Sequence, residues 1–463
     1  MIRFFSNISV SIMIFLFSAA VLAGVPSSKE FRKKLEFHPW GWMTMGEIVK
    51  SAYRDTGYGE YYSFYNLKEE WSIYLDLGIK AIGTITERST LVFHLGGRLL
   101  YNPIYPENST LYDVGGAKWA FAAYPIESSL ASKLIDDENV KVCTKVGYFA
   151  EKYNPEAQNF GEYLFRSGIY PSILVSGFDI ADKTKILGIR GHLSVWDVLH
   201  QSLFLHSEII RYPVYDFSLS YLINYNPIQL FDIGAGVSFS HLISVDKGKT
   251  TPGSEEYVKE YTGNIPLFIA LDENGDSIPY TFSGTKLAGR LTIDPKWFFP
   301  GDILGKNDLK LYGEVGVLGL KDYIGLTENT NKYTQFYEDI LERMPVMFGF
   351  NVPTFKLLDV LALEAEWFGN PFPNSEYYIW RKRIPVPFTG TTEPGTYGPD
   401  YFPYSKRDDW KWSITGRKTI AGFIQIVAQA ASDHMLRRNL LIGKLGSVFG
   451  EEEICQQPTD WYW

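Results

Sequence analysis

Residues 71–82 read WSIYLDLGIKAI, and their hydrophobicity alternates position by position. Trp71, Ile73, Leu75, Leu77, Ile79 and Ala81 share one face, and Ser72, Tyr74, Asp76, Gly78, Lys80 and Ile82 share the other. A period of two is the signature of a β-strand, whose successive side chains point to opposite sides of the sheet. The pattern recurs. In 231–240, Phe231, Ile233, Ala235, Val237 and Phe239 oppose Asp232, Gly234, Gly236, Ser238 and Ser240. In 309–317, Leu309, Leu311, Gly313, Val315 and Val317 oppose Lys310, Tyr312, Glu314 and Gly316. In 423–430, Ile424, Ile426, Ala428 and Ala430 oppose Gln425, Val427 and Gln429. The alternation alone fits a secreted β-sandwich with one wet face. Segments of ten or more residues with aromatic ends fit better a strand with one face to lipid and one to a lumen.

Composition supports that choice. Aromatics make up 16% of the chain, with 31 Tyr, 31 Phe and 12 Trp, more than a globular core needs. Membrane barrels place such residues in girdles at both interfaces. Mean hydropathy is near zero, as it must be when lipid-facing and lumen-facing residues alternate. A net charge of −9 argues against nucleic acid as a partner. Cys143 and Cys455 are the two cysteines; they allow one disulfide but make no disulfide scaffold.

The first residues have a separate role. Arg3 supplies a short positive region, Ile8 to Leu22 an apolar core, and Val21-Leu22-Ala23 small residues before Gly24. This is the pattern of a secretory signal peptide, residues 1–23. The core is shorter than the roughly 20 residues that span a bilayer as a helix.

Strands are expected at 38–50, 68–85, 90–102, 117–134, 140–153, 170–181, 185–206, 212–225, 229–245, 280–296, 307–322, 344–353, 358–370, 409–420 and 422–437, with a last one starting near 459. Short connections hold turn residues: Glu87-Arg88-Ser89, Asp136 to Asn139, Asp182-Lys183, Asn226-Pro227 and Thr354-Phe355-Lys356. Long ones fall near 51–67, 103–116, 246–279, 323–343 and 371–409. Short turns on one side and long loops on the other mark an outer-membrane barrel. The reading is therefore all-β: a transmembrane antiparallel up-and-down barrel of about sixteen strands, one domain over 24–463. Its location would be the bacterial outer membrane, with lipid and lipopolysaccharide around it. The C-terminus, PTDWYW, leaves only five residues after Pro458 for a closing strand. Either Glu452–Trp463 forms a distorted strand or the native chain is longer than this one; we favour the longer chain.

One stretch breaks the rhythm. GYFAEKYNPEAQNFGEYLFRSGIYP, residues 147–171, begins as a strand, stops at Asn154-Pro155, and continues as a charged run. It is similar to the inward-turning loop of porins of the phosphate-selective O and P type, around a motif shaped like G-F-x-x-P-x-x-x-E…R. Gly147, Phe149, Asn154-Pro155, Glu162 and Arg166 stand at the matching positions. The run NFGEYLFRSGIYP also resembles uncharacterised outer-membrane barrel proteins. The resemblance covers about 25 residues and implies a loop folded into the pore. The basic ladder of those porins is not evident, because Glu151, Glu156 and Glu162 stand beside Lys152 and Arg166; phosphate selectivity is not carried over. A homotrimer is what the porin resemblance implies.

Physically, a constriction needs opposed charges in a confined space. Arg166 and Glu162, with Lys152, Glu151 and Glu156, are the candidates, and Phe160, Tyr163, Leu164 and Phe165 would hold the loop to the wall. The rival is a solvated external loop. Alternation puts Asp76, Lys80, Arg98, Lys145 and Arg190 in the lumen, with His94, His192, Arg290, Lys310, Glu314, Glu364, Glu366, Lys411 and Arg417. For any one of these a structural role is the simpler reading. Asp272-Glu273-Asn274-Gly275-Asp276 starts like a calcium loop but has no acidic residue near its twelfth position. Arg381-Lys382-Arg383 reads as a solvated loop, with lipopolysaccharide phosphate as the sharper alternative. No HExxH, Cys/His metal spacing or GxSxG motif occurs, so neither enzyme nor cofactor is expected. The function read from these residues is passive diffusion of small hydrophilic solutes or ions. The rivals are a non-conducting barrel acting as adhesin or envelope scaffold, and a soluble polysaccharide-binding β-protein.

Overall fold

The computed structural model describes residues 35–51, 71–101, 119–165, 184–207, 217–243, 269–271, 277–279, 284–299, 301–320, 323–326, 333–337, 339–369, 410–433 and 438–447. The first nine strands are β1 (Leu35–Ser51), β2 (Trp71–Thr86), β3 (Ser89–Tyr101), β4 (Trp119–Asp136), β5 (Val140–Glu151), β6 (Thr184–Val195), β7 (Leu199–Ser207), β8 (Phe217–Ile228) and β9 (Phe231–Ile243). A small hairpin follows, β10 (Ile269–Leu271) and β11 (Ser277–Pro279). Then come β12 (Gly284–Ile293) and β13 (Leu311–Val317), a second hairpin of β14 (Tyr323–Leu326) and β15 (Tyr333–Tyr337), β16 (Val346–Asn351) and β17 (Val360–Trp367). β18 (Trp410–Ile420), β19 (Ile424–Asp433) and β20 (Arg438–Ser447) complete the order. Leaving out the two hairpins, sixteen strands pair in chain order, and β20 pairs with β1, so the sheet is closed. Every pair in the ladder is antiparallel, and closure leaves no hydrogen-bonding edge in lipid.

Polarity separates the two faces of the wall. Along β2, Leu75, Leu77 and Ile79 point outward, Leu77 with 57% of its surface exposed, while Asp76 and Lys80 are buried inside. Ile233 and Phe239 on β9, Leu311 and Val315 on β13, and Ile414 on β18 are likewise exposed. Glu314, Glu364, Lys411 and Gln429 are buried on the other face. An apolar outside around a charged inside is stable only with hydrocarbon outside. The interior charges are partnered across neighbouring strands. Arg98 Nε meets Asp76 at 2.7 Å, Lys145 meets Glu127 at 2.8 Å, and Arg190 meets Glu151 at 2.8 Å. Charges taken this far out of water persist only when paired.

On one rim the connections are short: 87–88, 137–139, 196–198, 229–230, 352–359 and 421–423, with a longer one at 294–310. From the other rim leave the long connections, among them the one that begins at 152.

Several boundaries differ from the expected ones. The segment 185–206 is two strands, not one, turning at Trp196-Asp197, both left-handed with φ of 55° and 52°. Asn226-Pro227 is no turn but lies within β8 at a register shift, and the turn falls at Gln229-Leu230. The closing strand is Arg438–Ser447, not a strand near 459, and it pairs with β1 at nine positions and with β19 at ten. The expected strand at 170–181, the turn at Asp182-Lys183, Glu452–Trp463, the signal peptide, Asp272–Asp276, Arg381–Arg383 and Cys455 lie outside the described residues.

Candidate functional site

The chain leaves the sheet at Glu151 and does not turn back at the rim. Residues 152–165 run across the lumen, because their partners sit on the far wall. The first stop is Asn154-Pro155, where proline removes the N–H that a next ladder bond would need. Gly161 and Glu162 then take left-handed conformations, with φ of 90° and 64°. Glycine adopts this region freely, whereas glutamate needs compensation. The compensation is visible: the backbone N–H groups of Glu162 and Tyr163 both donate to the Glu314 carboxylate of β13, each at 2.9 Å. Successive N–H groups in such a turn form a nest for an anion, filled here by a side chain of the wall.

Glu314 also accepts from the Asn154 side chain at 2.6 Å and from the Tyr153 hydroxyl. On β17, Glu364 accepts the N–H groups of Gln158 at 2.6 Å and Asn159 at 2.8 Å, and the Tyr312 hydroxyl at 2.9 Å. The Tyr163 hydroxyl donates to Glu366 at 2.7 Å. The Asn159 amide donates to Ser413 and Thr415 of β18 at 2.9 and 3.1 Å. Charge-assisted bonds of this kind are the strong ones.

Packing completes the seat. Phe160 and Tyr163 bury against Tyr312, Leu318, Met347 and Phe368. Leu164, Phe165 and Tyr153 bury against Phe149, Ile186, Phe204 and Leu222. Phe165 meets Phe204 edge to face, with ring centres 5.2 Å apart. Gly316 on β13 leaves the space that Tyr163 fills, since a Cβ there would lie 2.6 Å from the Tyr163 Cβ.

The residues singled out in the sequence take distinct positions. Glu162 is buried, and its carboxylate accepts the N–H groups of Tyr153 and Asn154, so it braces the loop. Glu151 ends β5 and pairs with Arg190. Lys152 Nζ donates to the Ala157 carbonyl at 2.5 Å. Glu156 faces the lumen and pairs with Lys310 at 2.6 Å. Arg166 lies outside the described residues. Asp76, Lys80, Arg98, Lys145 and Arg190 are all on the inner face, built into paired or packed positions of the wall. Alternation identified Glu314, Glu364 and Glu366 as inward, but not that they hold the loop; their partners are some 150 to 200 residues away in the chain.

Between the inward segment and the short-turn rim lies a cavity of about 1190 Å³. Pro155, Glu156 and Gln158 form part of its lining, together with Asn224, Asp232, Arg290 and Thr292 of the wall and Lys306 and Lys356 of the turns. Arg290 is held by Asp232 through two bonds, at 2.9 and 3.1 Å, and by Asn224 at 3.1 Å.

No family model matches the chain. No curated protein matches it either. Among solved structures, a variant of the Rh. blastica porin is similar over 90% of this chain and 100% of its own, at 9% identity and a TM-score of 0.40. Pseudomonas putida OprB is similar over 91% of this chain and 95% of its own, at 8% identity and a TM-score of 0.46. The barrel is established by its own ladder of sixteen paired strands.

Proposed function

We propose that the chain is an outer-membrane channel through which small hydrophilic solutes diffuse passively, with residues 152–165 as its constriction. The observation that carries this reading is a pinned segment across a polar lumen, above a cavity of about 1190 Å³ that reaches the short-turn rim. A wall with apolar residues outside and charges inside separates lipid from water, and a fixed loop narrows the passage without blocking its mouth. Arg166 joins the Glu156–Lys310 pair as a charge of the narrowing in this reading. Such a barrel belongs in the outer membrane, reached by a cleaved leader at 1–23. A trimer and contact with lipopolysaccharide extend the same proposal.

A second reading has an observation of its own. Many inner-face charges are almost wholly buried, including Glu366, Asp76, Lys411 and Glu364. A packed interior suits a non-conducting barrel that displays its long loops as adhesin or scaffold. Single-channel current in planar bilayers separates the two. Residues 24–463, refolded in detergent, should give stable steps, and Arg166→Ala should change their size or ion preference. Steps identical in Arg166→Ala remove Arg166 from the constriction. A heat-modifiable, inserted barrel that gives no steps leaves the scaffold.

A further inference from the structure

The outer face of the wall is not evenly filled. A groove of about 880 Å³ lies on that face, over β9, β12, β13, β16 and β17. Its shape follows from the register. Leu291 stands opposite Gly313, Gly313 opposite Phe348, and Phe348 opposite Ala365. Large and small residues thus alternate across four adjacent strands. Gly289, two residues from Leu291 and opposite Val315, extends the gap along β12. All of these point outward, since their neighbours Arg290, Glu314, Met347 and Glu364 are buried on the inner face. A Cβ added at Gly289 would meet nothing nearer than Val315 Cγ1 at 3.7 Å, so the position is open rather than crowded. Phe348, 60% exposed, stands as a ridge between the gaps at Gly313 and Ala365. At the short-turn end the lining is Ile293, Leu311 and Phe350. From Ile293 the chain passes into the 3-10 turn Pro295–Phe298, where Trp297, Phe298 and the following Phe299 are all exposed. Aromatic residues at strand ends mark the level of the lipid headgroups. The groove therefore runs from that level into hydrocarbon depth.

We infer that this groove seats an acyl chain of one phospholipid from the leaflet on the short-turn side, held in place while the lipids around it exchange. The inference rests on the closed barrel and not on whether it conducts. Lipid tails are as apolar as leucine, so nothing is gained here by expelling water, and an occupant is held by van der Waals contact alone. A gap left unfilled forfeits those contacts. A flexible, narrow chain can follow a depression that bends around Phe348. A second copy of this barrel cannot do so with the same face, because recess would meet recess and only Phe348 would project. The aromatic turn fixes the headgroup end of the lipid. Short turns face the periplasm in such barrels, so the bound lipid belongs to the periplasmic leaflet and is a phospholipid rather than lipopolysaccharide.

The test is native mass spectrometry of the full chain released from nanodiscs of phosphatidylethanolamine and phosphatidylglycerol. The wild type should keep one phospholipid at a collision energy that strips the rest. Gly289→Leu with Ala365→Leu fills the groove and should lose that lipid. Ala365→Leu alone serves if the double variant does not fold, and its lipid-bound fraction should fall. Ala81→Leu, on the outer face of β2, adds the same bulk away from the groove and should keep the lipid. A wild type that sheds all its lipid together overturns the inference. Retention equal in the wild type and the filled variants overturns it too. Ala365→Cys chains that link to one another in the bilayer would show a second copy in the groove and overturn it as well. Conduction is read separately in planar bilayers, so the channel reading can fail while the lipid site stands, and the reverse.

Discussion

Glu364→Ala tests how the inward segment is held. The carboxylate is buried on β17 and receives the N–H groups of Gln158 and Asn159 at 2.6 and 2.8 Å. It also takes the hydroxyl of Tyr312 at 2.9 Å. Alanine removes the acceptor of both N–H groups. A hydrogen bond to a charged group contributes about 1.5–3 kcal/mol, so losing the two backbone bonds destabilises the seated loop by about 3–6 kcal/mol. The lower figure raises the detached population about 10²-fold, at about 1.4 kcal/mol per factor of ten. The barrel wall itself should survive, since the ladder bonds of β17 to β16 and β18 are untouched. The assay is limited proteolysis of the refolded barrel beside single-channel recording. Cleavage should appear between Asn154 and Tyr163, and the current should become larger or noisier. Protection equal to wild type, with an unchanged current, would refute the idea that wall carboxylates pin the loop.

Other outcomes follow from the same geometry. Gly316→Ala should push Tyr163 off its seat and break its bond to Glu366, giving the same channel phenotype as Glu364→Ala; a wild-type recording would mean that Tyr163 shifts freely. Lys145→Ala strands Glu127 in the wall, and removing one partner of a buried pair costs about 3–5 kcal/mol. Its urea unfolding midpoint in micelles should fall accordingly. In the 294–310 turn, burial raises the Asp308 carboxyl, but the N–H groups of Gly305 and Phe355 and contacts with Thr354 outweigh it and hold the group below the usual carboxylate range. A depressed folded value means stability present above the unfolded value and lost as pH falls through the folded one. Amide exchange at Gly305 and Phe355 should therefore accelerate only in acid below the ordinary carboxylate range, and Asp308→Asn should remove that dependence.

The strands were legible because a membrane wall enforces its period at every position. Asp76 between Leu75 and Leu77 can face only inward. The turn at Trp196-Asp197 was not legible because it carries none of the usual Gly, Pro or Asn; Trp196 and Asp197 take positive φ in the three-residue connection 196–198. β20 was not legible because Arg438–Ser447 mixes apolar and polar residues on both parities. The inward course of 152–165 was readable in outline from the break at Asn154-Pro155. Its anchors were not, because nothing local in Glu314 or Glu364 says which backbone N–H they will meet.

The inward segment also bears on how stiff the tube is. A closed sheet keeps its circumference through the ladder, yet it can flatten into an ellipse while losing few of those bonds. Residues 152–165 form a chord from the end of β5 to β13, β17 and β18, and the bond from Asn159 to Ser413 ties together points 254 residues apart. Flattening along or across that chord must stretch or compress it. The segment is then a spoke as well as a gate, and the cross-section of the barrel is held round by a piece of chain that takes no part in its wall.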